Sequence, residues 1–367
     1  MSDNVQRSLQ AYYAQACPAK RGLQVKDLSS ITAGWESEMY AFDVEYGPAE
    51  DRRREALVLR LYPGDQAHAK AAHEFHSMRQ LHQVGYPVPY VQLLERTNSP
   101  FGKPCVIMER IAGQVMGPLF SSARGEQQRE LLRRFCALFV QLHRLDWRPF
   151  VNDGARGATQ GYIPDPRHLV AAFVGDEARG ATQGPYGFVD RSLRRAHAAL
   201  AQFSLLGFRP IVAWLEERRD AVPCRQPALV HGDFHPNNIL LRDDGSAVVI
   251  DWAGFQVSDA RFDLAWTLLL TGTHGSVEWR DAILQEYERL VGAKVEQLEW
   301  FETFACLRRL RVVTVSLSEG AEKLGLRPDA VTRMQQQMGA IQQVYVLLLE
   351  RTGIRVAEVE RLFAVWS

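Results

Sequence analysis

The chain has 367 residues, of which 46% are hydrophobic and 23% charged, the composition of an ordinary soluble globular protein. This length exceeds that of one typical domain and predicts two lobes or domains with enough sequence for a core. The 43 basic and 43 acidic residues balance to a net charge of +0. A balanced charge argues against nucleic acid or an anionic membrane surface as a partner.

The five cysteines are scattered along the chain and form no CxxC pair. This pattern predicts a reducing compartment and argues against a disulfide framework and against a thiolate zinc site. The amino-terminal stretch MSDNVQRSLQAYYAQ has no apolar core of a secretory signal. The apolar stretch AWTLLLTG is too short to span a bilayer. We therefore expect a cytoplasmic protein with no membrane partner.

Residues 28–110 are predicted to be rich in strands. YAFDVEYG and ALVLRLYPG alternate with period two and are joined by the polar PAEDRRRE, as in a hairpin. HAKAAHEFHSMRQLHQVG has helical spacing and ends at Gly85. YVQLLER and PCVIMERI predict two further strands. The pattern amounts to about five strands and one helix.

Beyond Gly113 the predicted elements are helices. GEQQRELLRRFCALFVQLHRLDW forms an amphipathic stripe, FRPIVAWLEERRDAV forms another, and 278–294 and 296–318 follow. The sequence thus predicts an N-lobe over residues 1–112 and a larger, mainly helical C-lobe over residues 113–367.

Residues 150–205 interrupt this plan and predict a loop-rich insertion. The sequence ARGATQG occurs there twice, at 155–161 and at 178–184. Two copies are too few for a solenoid, which needs about three repeats to bury a core. A duplicated loop and a lid over a substrate cleft are both compatible with the sequence.

The stretch LVHGDFHPNNILLRDDGSAVVIDWAG, residues 229–254, carries the chemistry, and it can be interpreted in two ways. His231, Asp233 and His235 alternate as the ligands of a zinc hydrolase would, since three protein ligands and an open position make a catalytic zinc site. The remaining histidines form no second cluster beside a carboxylate. The zinc-hydrolase hypothesis therefore explains few of the residues in this stretch.

A kinase site explains more of the same stretch. Phosphoryl transfer needs a carboxylate that orients the attacking hydroxyl and two further ligands for magnesium on the phosphates. Asp233 and Asn238 are five residues apart, and a hairpin through Asp243-Asp244-Gly245 would return the chain so that Asp251 lies beside Asn238.

These motifs, HGDFHPNNIL followed by VIDWAG and DARFDLAW, resemble those of the aminoglycoside phosphotransferase / choline kinase-like family. The resemblance implies an α+β, bilobal protein-kinase-like fold with a small antiparallel-sheet N-lobe. It implies Asp233 as catalytic base and Asn238 and Asp251 as magnesium ligands. It also implies that Asp263 is a structural acid behind the loop and that His231 packs within the loop.

The same resemblance extends to nucleotide contacts. His235 lies where protein kinases place a lysine that contacts the γ-phosphate, so it either contacts phosphate or packs locally. ITAGWESEMYAF, which includes Ser37, resembles the nucleotide-positioning loop. VIMERIAG resembles the hinge, where main-chain groups of Glu109 and Ile111 would bind adenine. Glu74 resembles the acid that pairs with the phosphate-binding lysine.

The chain departs from the family pattern at that lysine. The third strand, LVLRLYPG, has Arg60 at this position, and no lysine lies within the strand. Arginine has a permanent charge and a planar fork that can bind phosphate and carboxylate together. We therefore expect Arg60 to contact nucleotide phosphate while it pairs with Glu74.

The sequence predicts a small-molecule kinase that uses ATP and Mg²⁺ to phosphorylate a hydroxyl group of its acceptor. A nucleotide-binding pseudokinase is the alternative, favoured by Arg60 and by the sparse glycine loop. A protein kinase is disfavoured because DWAGFQVSDARFD leaves only about ten residues before Asp263, too few for an activation loop. A cationic acceptor would need acidic or aromatic residues, for which the candidates are Glu319, Glu322, Trp252 and Trp300.

Overall fold

The structure is a computed structural model that describes residues 2–31, 37–64, 66–97, 99–152, 184–327 and 329–366. The chain divides into two compact units. Unit 1 comprises Met1–Gln114 and Leu240–Ile250, and unit 2 comprises Val115–Ile239 and Asp251–Ser367. The hairpin segment Leu240–Ile250 therefore groups with unit 1, whereas the sequence alone suggested a single boundary.

Unit 1 is built on a five-stranded antiparallel sheet with the order β1-β2-β3-β5-β4. Leu57 and Leu59, alternate residues of the central strand, are almost fully buried, as period-two patterning predicts. The strands are β1 (Gln24–Ile31), β2 (Glu38–Tyr46), β3 (Arg53–Leu61), β4 (Val91–Glu95) and β5 (Cys105–Glu109).

Helix α2 (Ala67–Gln83) follows β3, as the sequence predicts. It ends where Gly85 adopts a φ of +78°, a left-handed conformation that costs glycine little. The amide of Tyr86 then donates to the carbonyl of Leu81 and that of Gly85 to His82, which satisfies carbonyl groups at the helix end. This helix carries Glu74.

A second helix of unit 1, α1 (Ser2–Ala16), precedes the sheet and was not predicted from the sequence. Leu9 and Tyr13 on α1 are fully buried in the same core as Phe42 and Val44. Most other residues of the helix are polar or small, so its sequence gives only a weak amphipathic pattern. Its docking against the sheet, more than its own periodicity, stabilises it.

Unit 2 is mainly helical. The described helices are α3 (Met116–Ser122), α4 (Gly125–Arg144), α5 (Arg148–Asn152), α6 (Gly187–Gln202), α7 (Arg209–Glu217), α8 (Ala260–His274), α9 (Val277–Val291), α10 (Leu298–Glu319), α11 (Ala330–Gln336), α12 (Met338–Thr352) and α13 (Ala357–Trp366). Helices α4, α7, α9 and α10 occupy the segments that the sequence predicts. None of the helices in the described part of the chain is both long and apolar enough to cross a membrane.

The loop-rich insertion predicted over 150–205 is wrong in its last part, which forms α6. Phe188, Leu193 and Leu200 of this helix are buried, so its apolar stripe packs into unit 2. The first ARGATQG copy, and the second except for Gly184, lie outside the described residues.

Two small sheets flank the motif region. Strands β7 (Ala228–Val230) and β10 (Gln256–Ser258) pair antiparallel. Strand β6 (Gln114–Val115) lies next to β8 (Ile239–Leu241), and β8 lies next to β9 (Ala247–Val249). The turn of the β8–β9 hairpin is closed by the amide of Arg242, which donates to Ser246. The motif therefore runs from a strand through a loop into the predicted hairpin.

Candidate active site

The loop that follows β7 is fixed through its backbone by Asp263 of helix α8. The amides of His231 and Gly232 donate to the two carboxylate oxygens of Asp263, at 2.6 and 2.9 Å. Asp263 is only 1% exposed, so these are buried, charge-assisted hydrogen bonds. The family resemblance implied this structural role.

Gly232 allows the loop to approach its neighbours closely. Its φ is +82°, and a Cβ atom there would lie 2.7 Å from the carbonyl oxygen of Gly254. Both the backbone conformation and this approach require glycine. The residue before Asp233 thus has no room for a side chain.

Aromatic packing supports the loop from below. Phe234 is fully buried and stacks on Phe139, with ring centroids 4.2 Å apart and an interplanar angle of 3°. The hydroxyl of Thr267 donates to the Phe234 carbonyl at 2.6 Å. Side chains of unit 2 therefore hold the loop on both sides of Asp233.

The carboxylate of Asp233 is held by a tryptophan. The indole Nε1 of Trp266 donates to Oδ1 of Asp233 at 2.8 Å. Arg308 lies over the Trp266 ring, 3.7 Å from its centroid, and donates from Nη1 to the Gly232 carbonyl at 3.0 Å. A cation over an indole face is a favourable arrangement. These contacts orient Asp233 through side chains of α8 and α10.

Sequence reasoning did not identify Trp266 or Arg308. Trp266 is the last residue of the DARFDLAW motif, three residues after Asp263, so one helical turn places it on the same face. That spacing was a usable signal. Arg308 lies far along the chain, and no local pattern connects it with the motif.

His235 and Asn238 surround the other side of Asp233. His235 Nε2 lies 3.4 Å from Asp233 Oδ2, and Asn238 Nδ2 donates to the Asp233 carbonyl at 2.9 Å. Asn238 Nδ2 is also 3.2 Å from His235 Nε2. With the amide nitrogen of Asn238 committed to Asp233, its Oδ1 is the atom that can coordinate a cation.

Electrostatics keep Asp233 ionised. Its burial would raise the pKa of this carboxyl, but His235, with the Trp266 hydrogen bond and the charge of Arg308, holds that pKa well below its usual range. Conversely, burial lowers the pKa of His235 while the charges of Asp233 and Asp251 and a hydrogen bond with Asp233 raise it, with a net increase. Both shifts favour the charged pair, a carboxylate beside an imidazolium.

Asp251 follows β9 and is exposed, with φ 67° and ψ 64°. A non-glycine residue in this left-handed region is uncommon and frequently belongs to a functional site. After the hairpin, the charge of Asp251 acts on His235, which also contacts Asn238. An amide oxygen and one carboxylate fit Mg²⁺, which is usually bound by one or two carboxylates together with substrate phosphates.

The geometry opposes a zinc site at the alternating histidines. His231 is fully buried, and its Nδ1 accepts a hydrogen bond from the amide of Asp233 at 3.2 Å. Its ring packs against Trp252, with centroids 4.5 Å apart. Across the described ranges, no group of three or more histidine, cysteine, aspartate and glutamate side chains is arranged to hold a metal.

Arg60, Glu74 and Ser37 lie together in unit 1. Arg60 Nη1 donates to Glu74 Oε1 at 2.7 Å, and Arg60 Nε donates to Ser37 Oγ at 3.2 Å. The pair is buried, with side-chain exposures of 10% and 2%. Tyr62, which sequence reasoning missed, donates its hydroxyl to Glu74 Oε2 at 2.7 Å. Residues 32–36 of the predicted nucleotide loop lie outside the described residues.

The predicted hinge lies at the end of β5. The amide of Glu109 donates to the carbonyl of Tyr90 at 2.8 Å, so only the carbonyl of Glu109 can serve a nucleotide base. The Glu109 side chain binds Arg242 of the β8–β9 hairpin at 2.6 Å, a contact that the sequence did not suggest. Ile111 is half-buried, two residues beyond the strand.

The residues suggested for a cationic acceptor differ in exposure. Trp252 and Trp300 are core residues, with exposures of 0% and 3%. The Trp300 indole donates to the carbonyl of Leu215. Glu319 and Glu322 are exposed on the surface of unit 2. Burial therefore excludes Trp252 and Trp300 as acceptor contacts, whereas Glu319 and Glu322 stay predictions.

A family model described as the phosphotransferase enzyme family matches residues 27–301. Among curated proteins, the acyl-CoA dehydrogenase family member 11 of Gallus gallus is 25% identical over 221 residues, which make up 58% of this chain. The match covers 25% of that relative, so this chain spans about a quarter of its length.

Solved structures share the fold. A thermostable mutant of aminoglycoside phosphotransferase APH(4)-Ia, bound to ADP and hygromycin B, superposes with a TM-score of 0.51 at 18% identity, covering 92% of this chain and 98% of that one. Spectinomycin phosphotransferase APH(9)-Ia, bound to ADP and spectinomycin, gives 0.53 at 13%, with 93% and 98% covered. Ethanolamine kinase of Plasmodium vivax gives 0.52 at 12%, with 87% and 81% covered. The predicted fold class is confirmed.

Replacing Asp263 should destabilise unit 2. Asp263→Leu leaves the buried amides of His231 and Gly232 without their acceptor, so we expect a loss of about 3–5 kcal/mol in the free energy of unfolding. Asp263→Asn keeps one carbonyl acceptor and should lose less. Urea denaturation measures both, with the exposed Asp220→Asn as control. Wild-type stability of Asp263→Leu would show that the loop is held by other contacts.

Proposed function

Because the chain belongs to the phosphotransferase enzyme family, we propose that it transfers the γ-phosphoryl group of ATP, with Mg²⁺, to a hydroxyl group of a small molecule. The predicted family is confirmed by this membership, and with it the predicted enzyme class, a phosphotransferase. The acceptor, ATP and Mg²⁺ are the proposed part.

The observation that carries the proposal is the environment of Asp233. Its carboxylate is ionised, 33% exposed and oriented by Trp266, so it can accept a hydrogen bond from an acceptor hydroxyl. The acceptor oxygen forms a bond to the γ-phosphorus while the bond from that phosphorus to the β–γ bridging oxygen breaks and ADP leaves. The hydroxyl proton passes to Asp233 and then to solvent. A depressed pKa makes Asp233 a weak base, so its main task is to orient the hydroxyl.

Asn238 and Asp251 would hold the magnesium ion. Bound there, it would neutralise charge on the phosphate oxygens. Asn238 is kept in place by its hydrogen bond to the Asp233 carbonyl, so the metal ligand and the base are positioned by one loop. His235 then lies between them and limits the negative charge that the two aspartates would otherwise build up.

Arg60 is proposed as the ligand of the nucleotide phosphates. Glu74 and Ser37 hold its guanidinium, and Tyr62 holds Glu74, so the group is fixed before a ligand arrives. Fixed geometry reduces the entropy lost on binding. The carbonyl of Glu109 and the amide of Ile111 are proposed as adenine contacts. ADP in the phosphotransferases that share the fold supports nucleotide use.

Asp233→Asn should abolish most of the turnover without harming the fold. An asparagine carbonyl can still accept from Trp266, but it cannot take up the hydroxyl proton, so we expect kcat to fall about 10²-fold or more. Thermal stability and ATP binding should be kept. ADP release is measured over a panel of hydroxyl-bearing metabolites and antibiotics, with the exposed Asp244→Asn as control. Turnover near that of wild type would remove Asp233 from the mechanism.

Removal of magnesium should stop transfer. Chelation with EDTA is expected to abolish ADP formation, and added Mg²⁺ should restore it, because the donors are oxygen atoms. Asp251→Asn should raise the Mg²⁺ concentration needed for half-maximal rate. Metal analysis of the purified protein provides a second measurement. Stoichiometric zinc that is lost on replacing His231 and His235 would instead favour the hydrolase.

Arg60→Ala should weaken ATP binding by about tenfold or more, because a charge-assisted contact to phosphate is lost. It also leaves Glu74 buried without its cation. Arg60→Lys should keep part of the activity, since lysine reaches phosphate as a point charge. Calorimetric titration with ATP compares both with Arg53→Ala, an exposed arginine on the same strand. Unchanged nucleotide affinity in Arg60→Ala, or bound ATP with Arg60 turned to solvent, would exclude this role.

A further inference from the structure

Arg309, on helix α10, forms no ion pair with a carboxylate among the described residues. Its Nη2 donates to Oε1 of Gln337 at 3.2 Å, a neutral partner, and its buried Nε has no hydrogen-bond partner there. Other arginines that contact α10 are compensated, since Arg280 and Arg351 both pair with the buried Glu302. Arg309 differs from these two arginines in having no ion pair with a carboxylate of the described residues.

This charge lies near the proposed catalytic base. The preceding residue, Arg308, donates to the Gly232 carbonyl and stacks on Trp266, which binds Asp233. Arg309 itself lies within electrostatic range of Asp233. Arg308 thus contacts the loop of Asp233, and the charge of the next residue, Arg309, also interacts with Asp233.

An amide and an imidazole, those of Gln337 and His274, lie beside the Arg309 guanidinium. His274 Nε2 lies 3.4 Å from Gln337 Oε1, the atom that Arg309 also contacts. We call Arg309, Gln337 and His274 the Arg309 cluster. Gln337 is partly exposed and His274 is exposed, so the cluster is open to solvent and to a ligand. It contributes donors and positive charge and contains no carboxylate.

Leaving such a guanidinium without a counter-ion costs free energy. Burial lowers the pKa of Arg309, and the attraction of Asp233 only partly opposes this. Partly desolvated charges that the fold does not compensate are concentrated at binding and catalytic sites. The planar fork of arginine suits carboxylate and phosphate groups, which it can bind through two parallel hydrogen bonds.

We propose that the acceptor of the phosphoryl group carries an anionic group, a carboxylate or a phosphate ester, and that Arg309 binds this group. The inference rests on the proposed function, because Asp233 would orient the acceptor hydroxyl while Arg309 holds the anion. Acceptors with ammonium groups would place like charges beside Arg309 and are disfavoured. Hydroxy acids and sugar phosphates are the chemical classes that satisfy both contacts.

A matched series of three-carbon compounds tests the charge preference. Glycerol, glycerate, glycerol 3-phosphate and 3-amino-1,2-propanediol share hydroxyl groups and differ in charge. Calorimetric titration measures binding of each compound to the full chain, and ADP release with ATP and Mg²⁺ measures transfer. We expect glycerate or glycerol 3-phosphate to bind about tenfold or more tightly than glycerol, as a charge-assisted contact implies. The amine should bind most weakly, and which anion binds tighter separates carboxylate from phosphate.

Variants link this preference to Arg309. Arg309→Gln should remove the preference for the anionic compounds and leave the affinity for glycerol and ATP unchanged. Arg309→Lys should keep part of it and also serves if the glutamine variant fails to fold. The control is Arg289→Gln, an exposed arginine of the neighbouring helix α9 that pairs with Glu286. Circular dichroism and thermal unfolding establish that the variants are folded.

The outcomes separate the two proposals. Anionic compounds that bind no better than glycerol, or that bind Arg309→Gln as they bind wild type, overturn the inference while the proposed transfer is unaffected. An Arg309→Gln enzyme with kcat lowered equally for every acceptor also overturns it, because Arg309 would then contact the transferred phosphoryl group. Arg309-dependent anion binding, with no ADP release for any hydroxyl compound in the wider panel, supports the anion site and contradicts phosphoryl transfer.

Discussion

The two hydrogen bonds from the loop backbone to Asp263 are the constraint on which the candidate site depends. They fix the positions of the His231 and Gly232 amides. The left-handed conformation of Gly232 then determines the backbone position of Asp233. Because Asp263 belongs to the same helix as Trp266, one rigid element holds both the backbone and the side chain of the proposed base. A shift of this helix would move both together, so their relative geometry would be kept.

Acidic and basic side chains lie close together both at this loop and at the predicted phosphate position of unit 1. His235 lies within electrostatic range of both Asp233 and Asp251, and the charge of Arg308 on α10 also favours the ionised form of Asp233. In unit 1, Arg60 occupies the predicted phosphate-binding position and already donates hydrogen bonds to Glu74 and Ser37. An arginine can make these two hydrogen bonds and still have a donor left for phosphate, because its guanidinium has five N–H groups. A lysine has a single ammonium centre. The replacement of lysine by Arg60 is therefore compatible with a working kinase.

Much of this organisation could be predicted from the sequence, because it is encoded locally. The hairpin after Asn238, the helix after β3 and the amphipathic α4 follow from turn residues and from periodicity. The elements that were missed have weak local signals: α1 becomes stable only by docking on the sheet, and α6 lies beside a glycine-rich repeat.

The same contrast applies within the site. Asp233 and Asn238 are close in sequence, and a hairpin precedes Asp251, whose charge acts on His235, so a short motif suffices to predict all three as site residues. Trp266 and Arg308 reach the base only through the packing of α8 and α10. The resemblance to kinases gave them no role, and helical spacing alone could not show which residues face the loop. Contacts between distant helices depend on tertiary packing, which no single window of sequence contains.

The Trp266 contact has a practical consequence. Its indole is hydrogen-bonded to one charged group and stacked on another, so its excited state senses both. Any ligand that draws Asp233 away from the indole, or that shifts Arg308, alters the emission of this ring. Trp266 is thus a built-in optical reporter at the base itself. With the other tryptophans replaced, stopped-flow fluorescence could follow acceptor arrival in real time, without a label and before any phosphate has moved.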